Sequence, residues 1–253
     1  MLPSETGIDA WLRYATLSET LRSFHKPVSS IVALSTNPTS PVFIAGEELQ
    51  CGLTRILGQT VQIESHLRAD TGVSIIVGTL STLQANGSDC LLQSVPALDE
   101  DGFWLDTNAY NPGAAIRYVN EWDNLDGSIE RGYGGKSIFF RDGQVLKDLS
   151  RVRQYARLLA SIRINGCIVN NVNSSHNLLN ETNLDGLGRI ADIMRPYGVR
   201  VGVSLFFDTP RSLAGLPTSD PLDPDVIKFW EDITAKLYKR VPDMLGYTIK
   251  ANS

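Results

Sequence analysis

The sequence predicts an α/β protein, with a small N-terminal α/β domain followed by the first half of a (β/α)8 TIM barrel. Apolar, strand-like segments alternate with helical patterns along most of the chain. In the C-terminal part, each strand-like segment also ends in polar side chains, which is typical of a barrel whose site lies at the carboxyl ends of its strands. We place the domain boundary between residues 112 and 113.

Length and charge exclude several classes of protein. The 253 residues are 42% hydrophobic and 20% charged, which suits one large globular domain or two modest ones. A net charge of -5 argues against non-specific binding to nucleic acid or to an anionic membrane. No apolar run is long enough to span a bilayer, and the start MLPSETGIDAW lacks the pattern of a secretion signal. We therefore expect no nucleic-acid partner, no membrane partner and no signal peptide in this chain.

The cysteines and histidines have no spacing that indicates a disulfide framework or a metal site. No CxxC pair occurs, and the histidines are isolated from one another and from the cysteines. The residues concerned are Cys51, Cys90, Cys167, His25, His66 and His176.

The N-terminal domain, residues 1–112, is predicted to be a small α/β layer. Its strands are expected at residues 31–34, 61–63 and 73–77, and its main helix at 46–57. No polar cluster or phosphate-cradling loop interrupts these elements, so support of the neighbouring domain is preferred to independent binding.

The C-terminal domain, residues 113–253, is predicted to contain four strands and three helices in alternation. The strands are expected at 114–119, 167–169, 199–205 and 244–249, and the helices at 149–162, 184–194 and 226–237. The first strand is rich in apolar residues and is predicted to be buried on both faces.

An open doubly wound sheet satisfies the same alternation and predicts a GxGxxG loop after the first strand. The glycines found there, Gly132, Gly134 and Gly135, lack that spacing and favour a structural turn.

The segment 117–135, RYVNEWDNLDGSIERGYGG, is the strongest candidate for a site. Its apolar strand leads directly into Asn, Glu, Trp and Asp side chains, which could not all be buried without partners. From the residues alone, a catalytic strand end and a capping loop rich in Asn and Asp turns are equally good interpretations.

Five segments in order resemble the family 67 glycoside hydrolases, the α-glucuronidases of xylan breakdown. They are NEWDNLDGSIERGYGG, RQYARLLASIRINGCIVNNVN, LGRIADIMRPYGV, DPLDP and GYTIKANS. WLRY and DEDGFWL resemble the N-terminal domain of the same family. Between Leu105 and Ala114 the family continues through another strand, a helix and a linker, where this chain has only DTNAYNPG.

The resemblance implies hydrolysis that releases 4-O-methylglucuronic acid from xylooligosaccharides, with inversion and without a metal or organic cofactor. The implied partner is a xylan-derived oligosaccharide carrying glucuronic acid, and the complete parent protein is expected to be extracellular. Sequons at Asn86, Asn173 and Asn180 suit a secreted parent.

The resemblance also assigns substrate-binding roles. Trp122 and Val172 are expected to pack against the sugar, and Lys250 to bind the uronate carboxylate. Glu130 and Arg131 lie in the same signature and are candidates for hydrogen bonds to sugar hydroxyls. Without the family, Trp122 would be a core aromatic, Val172 a barrel-layer residue and Lys250 a surface lysine.

This sequence departs from the family pattern in two places. Phe206 stands where the family has Asn, and the catalytic acid of the family follows KANS directly, whereas Ser253 is the last residue here. We therefore expect no catalytic residue in this chain and no turnover. The alternatives are a non-catalytic carbohydrate-binding remnant and an open-sheet nucleotide-binding protein. A half barrel also leaves unpaired sheet edges, which predicts self-association or aggregation.

Overall fold

Parallel strands and helices alternate along the chain in the computed structural model, which describes residues 12, 14–23, 28–66, 73–86, 103–105, 108–110, 114–173 and 175–250. The chain divides into two compact units, Met1–Ala115 and Ile116–Ser253. The predicted α/β class is confirmed. Within the described ranges, no helix combines the length and the apolar character needed to cross a membrane.

The N-terminal unit contains a three-stranded parallel sheet in the order β2-β1-β3, accompanied by helices and a separate antiparallel pair, β4-β5. Its elements are α1 (Glu19–Ser23), β1 (Val28–Ala33), α2 (Pro41–Leu57), β2 (Gln62–Glu64), β3 (Val73–Val77), α3 (Leu80–Ala85), β4 (Phe103–Leu105) and β5 (Asn108–Tyr110).

Helix α2 lies directly against strand β1. It begins five residues before the prediction because Ser40 caps it, accepting a hydrogen bond from the Phe43 amide at 3.1 Å, and Pro41 takes a first-turn position. A Cβ on Gly46 would stand 2.7 Å from the Cβ of Ala33, so glycine is needed for this close approach. Gly58 then ends the helix in the left-handed conformation.

The C-terminal unit contains a four-stranded parallel sheet in the order β6-β9-β10-β11. Its elements are β6 (Tyr118–Asn120), β7 (Phe140–Arg141), β8 (Gln144–Val145), α4 (Ser150–Ser161), β9 (Gly166–Ile168), α5 (Glu181–Met194), β10 (Arg200–Phe206), α6 (Thr209–Ala214), α7 (Pro224–Arg240) and β11 (Tyr247–Lys250). This is the strand order of a half barrel, as predicted. An open doubly wound sheet would reverse its order at a switch point, and the described strands show no reversal.

The core of this unit lies between the sheet and helices α4, α5 and α7. Fully buried side chains come from all of these elements, including Val152, Leu159, Val201, Ile190 and Leu237. Each helix therefore turns one apolar stripe toward the strands.

The first predicted strand is shorter and more exposed than expected. The prediction of a strand over 114–119 buried on both faces is wrong, because only Tyr118–Asn120 forms a strand. Ile116 is 58% exposed and Tyr118 51% exposed. β6 pairs with β9 and with no other described strand, so its side chains lie at an open edge of the sheet.

Candidate functional site

The loops that follow β6 and β9 are joined by main-chain hydrogen bonds. The Glu121 amide donates to the Ile168 carbonyl at 2.8 Å, and the Asn171 amide donates to the Asp123 carbonyl at 2.8 Å. These bonds continue the pairing of the two strands past their ends. The predicted sugar contacts Trp122 and Val172 are immediate sequence neighbours of the bonded residues, so they lie in two loops that are joined at this end of the sheet.

The side chain of Asn170 connects β9 to β10 in the same region. Its Oδ1 accepts a hydrogen bond from the Ser204 amide at 2.8 Å, and its Nδ2 donates to the Ser204 carbonyl at 3.0 Å. Asn170 is buried, so this amide takes the place of a backbone group in the sheet. The polar strand end predicted after β9 is thus, for Asn170, a structural connection.

Trp122 has a fixed backbone and a partly open side chain. Its carbonyl accepts hydrogen bonds from the Glu130 amide at 2.8 Å and from Asn171 Nδ2 at 3.5 Å. The residue is nevertheless 37% exposed, and Val172 is partly buried. An aromatic ring held this way can present a face to a ligand without reorganisation of its loop.

Glu130 and Arg131 are placed very differently. Glu130 has a left-handed backbone with φ of 55°, and its carbonyl accepts a hydrogen bond from Asn124 Nδ2 at 2.8 Å. Its Oε2 is buried and has no hydrogen-bond partner among the described residues. The Arg131 side chain is 87% exposed, with its Nε 3.6 Å from Glu130 Oε1. Glu130 is therefore part of the folded loop, whereas Arg131 lies in solvent.

Lys250 and Phe206 are partners in register at the ends of β11 and β10. The strand places the backbone of Lys250 at the carboxyl end of the sheet, the end at which the other predicted residues also lie. Phe206 is partly buried and its ring lies 5.7 Å from that of Phe207, so the side chain at this position offers an aromatic ring in place of a hydrogen-bonding amide.

Asp123 is a buried carboxyl group whose role the sequence did not reveal. It is 3% exposed, and Oδ1 has no hydrogen-bond partner in the described part of the chain. Burial raises its pKa to about 6, against the lowering effect of hydrogen bonds from Ser137 and from the Ile138 backbone; the charge of Glu121 raises it further. The signal that was available is its position between an aromatic and an amide residue in a strand-terminal loop.

Glu121 is held by helix α4, because the Tyr155 hydroxyl donates to its carboxylate. Burial raises the pKa of Tyr155, and the bond to Glu121 adds to the effect. Burial also raises the pKa of the Cys167 thiol, followed by the charges of Glu121 and Asp123. The end of β6 is therefore a region of concentrated negative charge that a cationic or hydrogen-bond-donating group would complement. In the described ranges, no group of three or more His, Cys, Asp and Glu side chains is arranged to hold a metal ion.

Known proteins match nearly the whole chain. Residues 103–253 match the glycosyl hydrolase family 67 middle domain, and residues 10–121 match the family 67 N-terminus. The chain belongs to glycoside hydrolase family 67. The predicted family membership is confirmed.

Family 67 relatives from several Aspergillus species are similar over almost all of the chain. A protein named probable alpha-glucuronidase A from Aspergillus fumigatus is 48% identical over 99% of this chain and 34% of its own length. Alpha-glucuronidase A from Aspergillus tubingensis is 46% identical over 100% of this chain and 34% of its own length. The chain thus spans about a third of the length of the curated relatives it matches.

The family 67 signature therefore falls on a connected set of strand ends. The fold brings Trp122, Val172, Glu130 and the backbone of Lys250 to the carboxyl ends of β6, β9 and β11. Their contacts with a sugar stay a prediction.

Proposed function

We propose that this chain forms the uronate-binding side of an α-glucuronidase active site. The proposed ligand is a xylooligosaccharide carrying glucuronic acid or its 4-O-methyl ether, and the whole family 67 enzyme would hydrolyse the α-1,2 bond with inversion. The extracellular location of xylan makes an extracellular parent protein part of this proposal. In our assignment Trp122 and Val172 pack against the pyranose, Lys250 pairs with the carboxylate, and Glu130 accepts from sugar hydroxyls.

The observation that carries the proposal is the pair of main-chain bonds that join the loops after β6 and β9. They join the loop that carries Trp122, which is 37% exposed, to the loop that carries Val172, at the carboxyl ends of neighbouring parallel strands. A rigid aromatic face next to an aliphatic side chain complements the apolar side of a sugar ring. The family supports the identity of the sugar, and the joining of these two loops supports our assignment of Trp122 and Val172 to its binding.

We propose further that residues 1–253 do not by themselves turn over substrate. Inversion needs a protonated carboxyl at the leaving oxygen and a carboxylate that activates water, roughly 6.5–9.5 Å apart. Asp123 has a pKa suited to an acid, but it is buried and bonded to Ser137 and Ile138. Glu121 accepts a hydrogen bond from Tyr155. Neither group is placed as a reactive carboxyl, and the family motif assigns the acid to a position after KANS.

The binding proposal is tested with Lys250→Ala in the 253-residue chain. Loss of the ammonium group should weaken binding of glucuronate-bearing xylooligosaccharide by about 2 kcal/mol, the lower end for truncating one side of a buried charge pair. Binding of the matching neutral glucoside should barely change, because its C6 carries no charge. Calorimetry with both ligands gives the difference.

The matched control is Lys239→Ala, which removes an exposed lysine from the last turn of α7. It should leave both affinities unchanged. Equal losses for charged and neutral ligands in Lys250→Ala would mean that Lys250 supports the strand end without contacting the uronate.

The turnover proposal is tested by release of 4-O-methylglucuronic acid from aldouronic acids. The purified 253-residue chain should give no release above the uncatalysed rate, since a missing general acid alone removes a factor of about 10²–10⁴. Turnover abolished by Glu121→Gln or Asp123→Asn would show that these carboxyl groups, and not a position after Ser253, carry the reaction.

A further inference from the structure

A cavity lined by cationic side chains lies between the start of α4 and the second half of α5, apart from the strand-end site. Its volume is about 440 Å³, and it shares no residue with the strand-end site. Lys147, Arg153 and Arg189 line it, and Leu149 and Ile193 contribute apolar surface. The volume falls in the range of pockets that take small ligands.

The charge of this cavity is strongly positive for a protein of net charge -5. Asp192 is the carboxylate among its described lining residues, and Arg195 already pairs with it at 2.6 Å. Arg195 is held in turn by Asp243, through bonds of 2.8 Å from Nε and from Nη2. Arg195 shares its single positive charge between Asp192 and Asp243, so Asp192 still offsets part of the lining charge, and the three lining cations exceed this one carboxylate by two.

Two of the three cations are unpaired in the described part of the chain. Neither the Lys147 ammonium nor the Arg153 guanidinium makes an ion pair or a hydrogen bond with another described residue, and both residues are exposed. Arg189 is oriented by its Nη1, which donates to the Leu146 carbonyl at 3.1 Å and to the Lys147 carbonyl at 3.5 Å. One guanidinium is thus fixed at the cavity, while an ammonium and a second guanidinium are able to close on a ligand.

The N-terminus of α4 adds little to the positive charge of this cavity. Asp148 Oδ1 already accepts from the Ser150 amide at 2.9 Å, so the first helical N–H group at this end is occupied. The case for a ligand depends on the side chains of Lys147, Arg153 and Arg189. Guanidinium and ammonium groups converging on a partly apolar cavity are complementary to an oxyanion, which both arginines can bind through two N–H groups.

We propose that this cavity binds a small oxyanion, either a phosphate or a sugar carboxylate. The experiment is an NMR titration of the isotopically labelled 253-residue chain with inorganic phosphate, with glucuronate and with neutral glucose. Amide resonances at the start of α4 and in the second half of α5 should move with at least one of the two anions and not with glucose. Added sodium chloride should weaken the effect, since exposed charges are screened.

The test variant is the double substitution Lys147→Gln and Arg153→Gln. It should weaken anion binding at this cavity by about 2–30-fold, because two exposed charged contacts are lost and each contributes a factor of roughly 1.5–5. The matched control, Arg141→Gln with Lys239→Gln, removes the same charge at exposed positions outside the cavity and should keep the affinity. Movement with phosphate alone, with glucuronate alone or with both then identifies the source of the oxyanion.

Glucuronate is also the proposed ligand of the strand-end site, so its titration is repeated in Lys250→Ala. Persistence of the α4 and α5 shifts there supports the cavity independently of the proposed function. The absence of shifts with both anions, or an equal loss in the cavity and control variants, would overturn the proposal.

Discussion

Asp123 is unusual among the residues of the strand-end site because its burial disfavours the ionised form of its carboxyl group. The carboxyl is 3% exposed, and its pKa is raised from 3.8 to about 6, mainly by burial. Between these two pH values the folded state binds a proton more readily than the unfolded state does. The contribution of Asp123 to stability is therefore present below about pH 4 and is lost as the pH rises through 6.

We expect Asp123→Asn to be more stable than the parent chain at pH 7. The rise of the Asp123 pKa to about 6 corresponds to roughly 2–3 kcal/mol as an upper bound. The amide oxygen can still accept from Ser137 and Ile138, so the loop geometry is retained. Urea unfolding of both proteins at pH 7 and at pH 4 should show an advantage at pH 7 that disappears at pH 4.

Asp126→Asn is the control, because its effect on stability at pH 7 should be opposite in sign to that of Asp123→Asn. The side-chain and backbone hydrogen bonds from Ser128 to this carboxylate lower its pKa. Its stabilising effect is thus present at neutral pH and lost on acidification, and the substitution should reduce stability at pH 7. An advantage at pH 7 for both variants would indicate a general effect of net charge.

At the residue scale, the sequence predicted where the site residues lie in the fold better than it predicted their burial and hydrogen-bond partners. The resemblance to family 67 placed Trp122 and Val172 at strand ends, and the fold joins the two loops that carry them. It could not show that Asp123 is buried, which depends on the packing around Ser137 and Ile138, or that Tyr155 reaches Glu121, which depends on the position of α4. The bond between Tyr155 and Glu121 joins residues 34 positions apart, and no local sequence pattern encodes either contact.

Helix α5 is anchored by Asn183 to the segment before it. Asn183 Oδ1 accepts from the Val145 amide at 3.1 Å, and its Nδ2 donates to the carbonyls of Gly143 at 3.0 Å and Asn177 at 2.9 Å. The residue is fully buried, and these three bonds replace the hydrogen bonds to water that its side-chain amide loses on folding. They fix the β7–β8 hairpin against the first turn of the helix.

Two glycines of α5 should respond differently to substitution, because only one of them faces the β7–β8 hairpin. A Cβ on Gly186 would lie 2.5 Å from the Cβ of Val145, whereas one on Gly188 would first meet the Arg240 carbonyl at 3.4 Å. Gly186→Ala should cost about 1–3 kcal/mol through overpacking. Gly188→Ala should be neutral or stabilise by up to about 1 kcal/mol, because alanine is the better helix former.

Thermal or urea unfolding of the two alanine variants checks this prediction. Both substitutions add one methyl group to the same helix, so propensity cancels in their difference. Equal stability would mean that the hairpin shifts away from α5 without cost.

At the element scale, long periodic segments were predictable and short ones were not. Helices α4, α5 and α7 were predicted to within a few residues because each repeats an apolar stripe for three turns or more. The two-residue strands β7 and β8 and the short helix α6 contain too few residues to show a period. Strand β6 was overextended because an apolar run alone does not show where pairing ends.

The four-stranded sheet has two outer strands with consequences for the whole molecule. β6 and β11 each pair on one side only among the described strands. Ile249 in β11 is 66% exposed. Exposed apolar side chains on an unpaired edge favour pairing with another copy of the chain.

We expect the purified chain to self-associate as its concentration rises and Ile249→Lys to reduce that association. A charge on an edge strand opposes strand addition. Leu222→Lys is the matched control, because Leu222 is 83% exposed but lies outside the sheet. Light scattering across a concentration series should separate the two variants; a monomeric parent chain would contradict the prediction.

The strand order β6-β9-β10-β11 also has a consequence for folding of the chain during its synthesis on the ribosome. Each strand of this sheet pairs with the strand of the sheet that precedes it in the chain, so its partner has already been synthesised when it emerges. The sheet can therefore grow by addition at one edge, with α4, α5 and α7 covering each new strand in turn. Pauses in translation between these repeats would give each unit time to pack before the next one arrives.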